Sequence, residues 1–344
     1  MDITKQDSKM LKGVAILYML MLHMFCRKEN LPYTALLWVK DTPLIYFFGL
    51  FGDICVPMYC FVSGYAHCLH STQSDMKQRW RSLLRFMIVY WVIAVLFAVV
   101  GLITGNQTIP GSITEFLLNC LTIRNSYNGA WWYANIYILL VALQPLSNKF
   151  VWRCPAWLVL SLTFAFYTLG YGIRFWGWGA CDSAVLSWVI NHIGLLGTSY
   201  FTYAVGMLFC KNNIIQVLRT KITEINAIYI YIYIYILGTI LLACMIIMHS
   251  IVQTLFVAVF TATATIVILC ICPLPRLLIN VLCYMGEHST NIWLTHMFFY
   301  TVLFDGFVFV VKYPLPIFCL LLLLSLASSY IIKLISKPIL NLVR

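Results

Sequence analysis

Lys12 and His23 are the residues whose types and separation first suggest chemistry, because they stand in an otherwise apolar stretch, Leu11-Lys12-Gly13-Val14-Ala15-Ile16-Leu17-Tyr18-Met19-Leu20-Met21-Leu22-His23. Read as a helix, eleven residues at about 1.5 Å each carry His23 roughly 16 Å beyond Lys12, past the middle of a hydrocarbon layer about 30 Å thick. Ionisable groups at that depth are costly and are kept for function. A neutral imidazole there suits proton transfer or nucleophilic chemistry. Asp53, an acid near the outer part of the second apolar stretch, is the candidate to orient it.

Three further patterns carry potential chemistry. In Val56-Pro57-Met58-Tyr59-Cys60-Phe61-Val62-Ser63-Gly64-Tyr65, Pro57 and the Ser63-Gly64 pair permit a kink or a close backbone approach inside a helix. Ser63 stands one helical turn from His67, yet a hydroxyl beside Gly64 fits helix packing or a tunnel wall better than a nucleophile. Lys77, Arg79, Arg81 and Arg85 form a basic cluster, which reads either as a topology signal or as a phosphate site. Gly286-Glu287-His288-Ser289-Thr290-Asn291-Ile292-Trp293-Leu294-Thr295-His296 places a second deep histidine, His296, suited to binding substrate or to bonding a neighbouring helix. His67, His70, His192 and His249 lie toward the ends of apolar stretches, where solvated histidines are ordinary. The thirteen cysteines show no CxxC or Cys/His ligand spacing, so no metal is expected.

The elements that must position these residues are membrane helices. A chain with 62% apolar and 10% charged residues cannot form a water-soluble globule. Apolar stretches predict about ten spans, at roughly 11–26, 44–68, 84–104, 130–147, 156–172, 188–209, 225–247, 252–271, 289–311 and 315–335. With a cytosolic N-terminus, sixteen of the 22 Lys and Arg fall in inside segments and six in outside ones, namely Arg27, Lys28, Lys40, Arg124, Arg174 and Lys312. The positive-inside rule then places both termini in the cytosol and His23 in the outer half of the membrane. The basic start followed by an apolar run has no small-x-small cleavage site after it, so the first span is expected to be retained. Ile228 to Ile236 alternates Ile and Tyr like a strand, but an open strand in lipid leaves its backbone unpaired, so a helix is expected. The longest outer loops, 105–129 and 173–187, carry Gly, Asn, Tyr or Trp, suited to a polar acceptor or to interfacial anchoring. Every gap between spans is too short for a separate core, so residues 1–344 are read as one integral membrane domain.

In order and spacing these patterns resemble the membrane-bound acyltransferase 3 family, polytopic O-acyltransferases of polysaccharides and glycolipids, over about residues 8–335. Lys12 and His23 match the family's cation and histidine, with lysine in place of the usual arginine. Pro57, Ser63, Gly64 and Tyr65 match its second-helix motif. Ala130-Trp131-Trp132-Tyr133 and Gly286 to His296 are similar to its later ones. The resemblance implies an all-α multi-pass bundle in the cytoplasmic (inner) membrane. It implies transfer of an acyl group, usually acetyl, from cytosolic acyl-CoA to a hydroxyl of an envelope polysaccharide or glycolipid. It further implies His23 as base or acyl carrier, with Lys12 and Asp53 in support. Arg79, Arg81 and Arg85 would hold the phosphates of CoA, and Ser63, Gly64, Tyr65, Trp131, Trp132 and His296 would lie near substrate. The competing readings are a solute or ion transporter, for which Asp53, Asp305, His23 and His296 would line the path, and a non-catalytic protein of the same fold. No inverted repeat or pair of matching broken helices supports the transporter.

Overall fold

Thirteen α-helices follow one another among residues 3–69, 76–223 and 227–343, which are those the computed structural model describes, with the side chains of 223, 227–234 and 255 outside the description. His70 and Arg344 lie outside the described residues. The helices are α1 (Lys5–Phe25), α2 (Leu44–Phe51), α3 (Cys55–Leu69), α4 (Met76–Thr104), α5 (Ile113–Cys120), α6 (Trp132–Arg153), α7 (Ala156–Phe175), α8 (Ala184–Lys211), α9 (Ile214–Thr223), α10 (Ala227–Ile251), α11 (Leu255–Ile271), α12 (Arg276–Thr295) and α13 (Pro314–Leu342). The one sheet described is a two-residue hairpin in which Trp38 pairs with Pro43 and Val39 with Thr42.

Six helical segments among the described residues are long and apolar enough to cross a bilayer: α1, Leu44–Leu69, α4, α7, α8 and α13. Tyr235–Ile251 and Phe256–Ile271 are shorter apolar helices. The second expected span is continuous in hydropathy but divided in structure, α2 passing through a 3-10 turn at Gly52–Ile54 into α3. The Ile/Tyr run belongs to α10, as helical pairing of the backbone in lipid requires.

The ninth expected span, 289–311, is not a single helix. α12 starts earlier, at Arg276, stops at Thr295 and gives way to a 3-10 turn, His296–Phe299. Two donors from another segment capture the Leu294 carbonyl at this end: Trp131 Nε1 at 2.9 Å and Asn128 Nδ2 at 3.0 Å. The last carbonyls of a helix have no intrahelical partner, and these groups supply one. The third span also begins earlier than hydropathy indicates, since Lys77, Arg79, Arg81 and Arg85 occupy the first ten residues of α4 rather than a loop. Lys, Gln and Arg are good helix formers, so the helix continues beyond its apolar part.

The chain divides into two compact units. The first comprises Met1–Tyr18, Asp53–Gln73 and Leu139–Gly286. Its helices meet through glycines: a Cβ on Gly64 of α3 would lie 1.9 Å from the Tyr203 carbonyl oxygen of α8, and one on Gly206 would lie 2.1 Å from that of Phe61. α1 and α12 make the same reciprocal contact, Gly13 against Leu282 and Gly286 against Lys9. Small residues at such crossings let backbones approach where lipid provides no hydrophobic drive. The second unit comprises Met19–Gly52, Ser74–Ile138 and Glu287–Arg344. Its core is aromatic, with Phe97 stacked on Phe298 at 3.9 Å and Tyr90 tilted against the buried Trp131 at 4.6 Å.

Candidate active site

In the second unit two histidines come together. His23 lies in the last turn of α1, and its ring meets that of His296 edge to face, with centroids 5.0 Å apart. His23 is half-buried and His296 fully buried. The break after α12 gives His296 its setting: its Nδ1 is 2.8 Å from the Trp293 carbonyl and 3.2 Å from that of Ile292. Carbonyls only accept, so Nδ1 carries the proton and Nε2 of the neutral ring holds a lone pair. That Nε2 is buried and has no hydrogen-bond partner among the described residues. A buried acceptor left open in this way is rare and calls for a role.

Trp131, expected near substrate, is buried and spends its indole N–H on Leu294; Trp293 returns a bond to the Ala130 carbonyl at 2.9 Å. The pair thereby fixes the start of α6 against the end of α12 and sets the height of His296. Trp132 is half-buried against Tyr133. The loop between α4 and α6 is tied to itself. The Glu115 carboxylate accepts from Arg124 at 2.6 Å and from Asn119 and Ser126. The Ser126 hydroxyl first, and Arg124 after it, hold this carboxyl below its ordinary range. Burial pushes the Tyr127 phenol of the same loop up to about 12, and its hydroxyl donates to the Pro110 carbonyl.

Residues of the first unit serve differently. Gly64 is used in the α3–α8 contact, Tyr65 Oη accepts the Ile3 N–H at 2.9 Å, and Ser63 is half-buried beside them. His67 pairs with Tyr203 at 2.9 Å. Asp53, expected to orient His23, has His249 as its partner: Oδ2 lies 2.9 Å from Nε2, with both side chains mostly buried. Lys12 is half-buried on α1, and its carbonyl accepts from Tyr59 at 3.3 Å.

The three arginines do not share a face of α4. At 100° per residue Lys77, Arg81 and Arg85 lie within about 80° of one another, whereas Arg79 points to the other side. Arg85 instead joins α13, lining with Lys333, Ser336, Lys337, Leu340 and Asn341 a cleft of about 390 Å³. Hydropathy and charge counting used Lys333 and Lys337 only as topology signals. Among the described residues no group of three or more His, Cys, Asp or Glu is placed to hold a metal ion.

The family model described as an acyltransferase domain, acyltransferase 3, matches residues 7–334, nearly the whole chain. No curated protein and no solved structure matches it.

Proposed function

Since the chain belongs to the acyltransferase 3 family, we propose that it transfers an acyl group, acetyl in the first instance, from acyl-CoA to a hydroxyl of a cell-envelope polysaccharide or glycolipid. The observation that carries this reading is the His23–His296 pair: two imidazoles in an apolar, aromatic setting, one of them locked in a single tautomer.

In the proposed reaction His23 takes the proton of the acceptor hydroxyl as its oxygen attacks the thioester carbonyl. The C–S bond then breaks, the thiolate recovers the proton from the imidazolium, and an ester and free CoA leave. General-base catalysis of this kind contributes about 10²–10⁴-fold. The location of His23 favours it. The C-terminal end of a helix stabilises a cation by about 0.3–1 kcal/mol, and His23 stands in the last turn of α1. His296, neutral and protonated on Nδ1, presents its open Nε2 lone pair beside that charge. Lys12, eleven residues before His23 on α1, is assigned a supporting role through its positive charge. The protein acts as a multi-pass enzyme of the inner membrane, with CoA as donor substrate and no metal.

The test is glycan acylation in cells carrying wild-type or His23→Ala protein, read by mass spectrometry of the surface polysaccharide at equal membrane protein levels. Loss of the acyl group supports the assignment, and wild-type acylation in the variant removes it.

A further inference from the structure

We infer that the cleft of Arg85, Lys333 and Lys337 between α4 and α13 is the seat of the donor's phosphates, and that His288 is the residue that positions Lys333 there. This rests on the reading of the protein as a CoA-dependent acyltransferase and specifies where the donor is held.

Three observations in the second unit carry it. First, the lining is one-sided: two ammonium groups and a guanidinium meet with Ser336 and Asn341, and no carboxylate lines the cleft. Like charges gathered this closely repel, and a multiply charged anion relieves them through charge-assisted hydrogen bonds. Second, the site is built from beneath. Lys333 Nζ donates to His288 Nε2 at 3.2 Å, and the imidazole Nδ1–H donates to Ser329 Oγ at 2.8 Å. Asn291 Nδ2 donates to the same oxygen at 2.8 Å. His288, Ser329 and Asn291 are all at least nine-tenths buried, so an exposed cation is presented by a fixed internal chain. Ser329 receives two donors here, which marks it as a support and not as a nucleophile.

Third, the cleft is in register with the histidine pair. His288 and His296 are eight residues apart along α12 and the turn that follows it, about 12 Å at helical rise. The extended pantetheine arm of CoA is longer than that. Phosphates seated at Lys333 therefore leave the thioester able to reach His296 and His23. The cleft also lies at the right depth. α4 and α13 have 29 residues each, about 43 Å against a hydrocarbon core of about 30 Å. Their cations fall in the first ten residues of α4 and the last ten of α13, so Arg85 and Lys333 mark the edge of the apolar part where a water-borne anion meets the bilayer.

The experiment measures binding of acetyl-CoA and of S-acetylpantetheine, which lacks the phosphates, to full-length protein in phosphatidylcholine nanodiscs. It compares wild type with Lys333→Ala, Lys337→Ala, Lys333→Arg and His288→Gln. Each lysine-to-alanine change is expected to weaken acetyl-CoA about tenfold or more and leave S-acetylpantetheine unchanged. Lys333→Arg should recover part of the loss, and His288→Gln should weaken acetyl-CoA alone. Variants that bind acetyl-CoA as wild type does overturn this inference and leave the acyltransferase reading standing. A wild-type protein that binds no acetyl-CoA overturns that reading and this one with it. Variants that bind acetyl-CoA normally but no longer retain phosphatidylglycerol in anionic nanodiscs make the cleft a lipid site and overturn the inference.

Discussion

His23 and His296 come from opposite ends of the sequence and meet edge to face at 5.0 Å. One ring is at the carbonyl end of α1, and the other is held through Nδ1 by two carbonyls of α12. Two groups that act together on one proton should not contribute independently. His296→Ala is expected to lower acyl transfer by about 10²-fold or more, within the range of general acid–base groups. The double variant with His23→Ala should be little worse than the more damaging single one. Transfer rates of purified single and double variants check this, and fully multiplicative losses would separate the two residues.

Gly64 allows α3 and α8 to touch at the backbone, since a Cβ there would lie 1.9 Å from the Tyr203 carbonyl oxygen. Gly64→Val should cost at least the 1–3 kcal/mol typical of overpacking and reduce the folded yield. Ser63→Ala, beside it, should leave both yield and melting temperature close to wild type. Size-exclusion profiles of the detergent-solubilised variants show whether the neighbouring positions differ in this way.

Asp53 and His249 form a mostly buried carboxyl–imidazole pair at 2.9 Å. Truncating one partner of such a pair costs roughly 3–5 kcal/mol, because the other is left buried without its counter-group. Asp53→Ala should therefore lower the melting temperature, and adding His249→Ala should restore part of it. A double variant whose loss equals the sum of the two single losses would show that the pair is not coupled.

Glu115 gives a pH signature. Its folded carboxyl is held below the usual value of 4.5 by Ser126 and Arg124, so it contributes stability above about pH 4.5 that is lost as pH falls through the folded value. Glu115→Gln should flatten the acid limb of a melting-temperature profile taken from pH 7 to pH 3. The variant and wild type should converge at the acid end. An unchanged profile would remove the loop clamp from the stability account.

The helical class and the membrane setting were legible because hydropathy is a local property, and His23 stood out as a deep imidazole for the same reason. The split of the arginine cluster was also legible in principle, since Arg79 and Arg81 are two residues apart and cannot share a helix face. The break at His296 was not. Ile292 to Phe299 is an unbroken aromatic and apolar run apart from Thr295 and His296, and the helix ends there because Trp131 and Asn128, far off in sequence, take the Leu294 carbonyl. That Asp53 meets His249 was not legible for the same reason: depth in the membrane is readable from the chain, whereas the neighbour at that depth depends on how helices are arranged. Lys333 and Lys337 looked like topology signals until α13 came to lie along α4 and placed them opposite Arg85.

The most direct measurement is single-turnover acyl transfer from labelled acetyl-CoA to extracted envelope glycan by purified wild-type and His23→Ala protein, matched for folded fraction by melting temperature. The account predicts a loss of about 10²-fold or more in the variant, with acetyl-CoA still bound. Transfer by His23→Ala at the wild-type rate would contradict it.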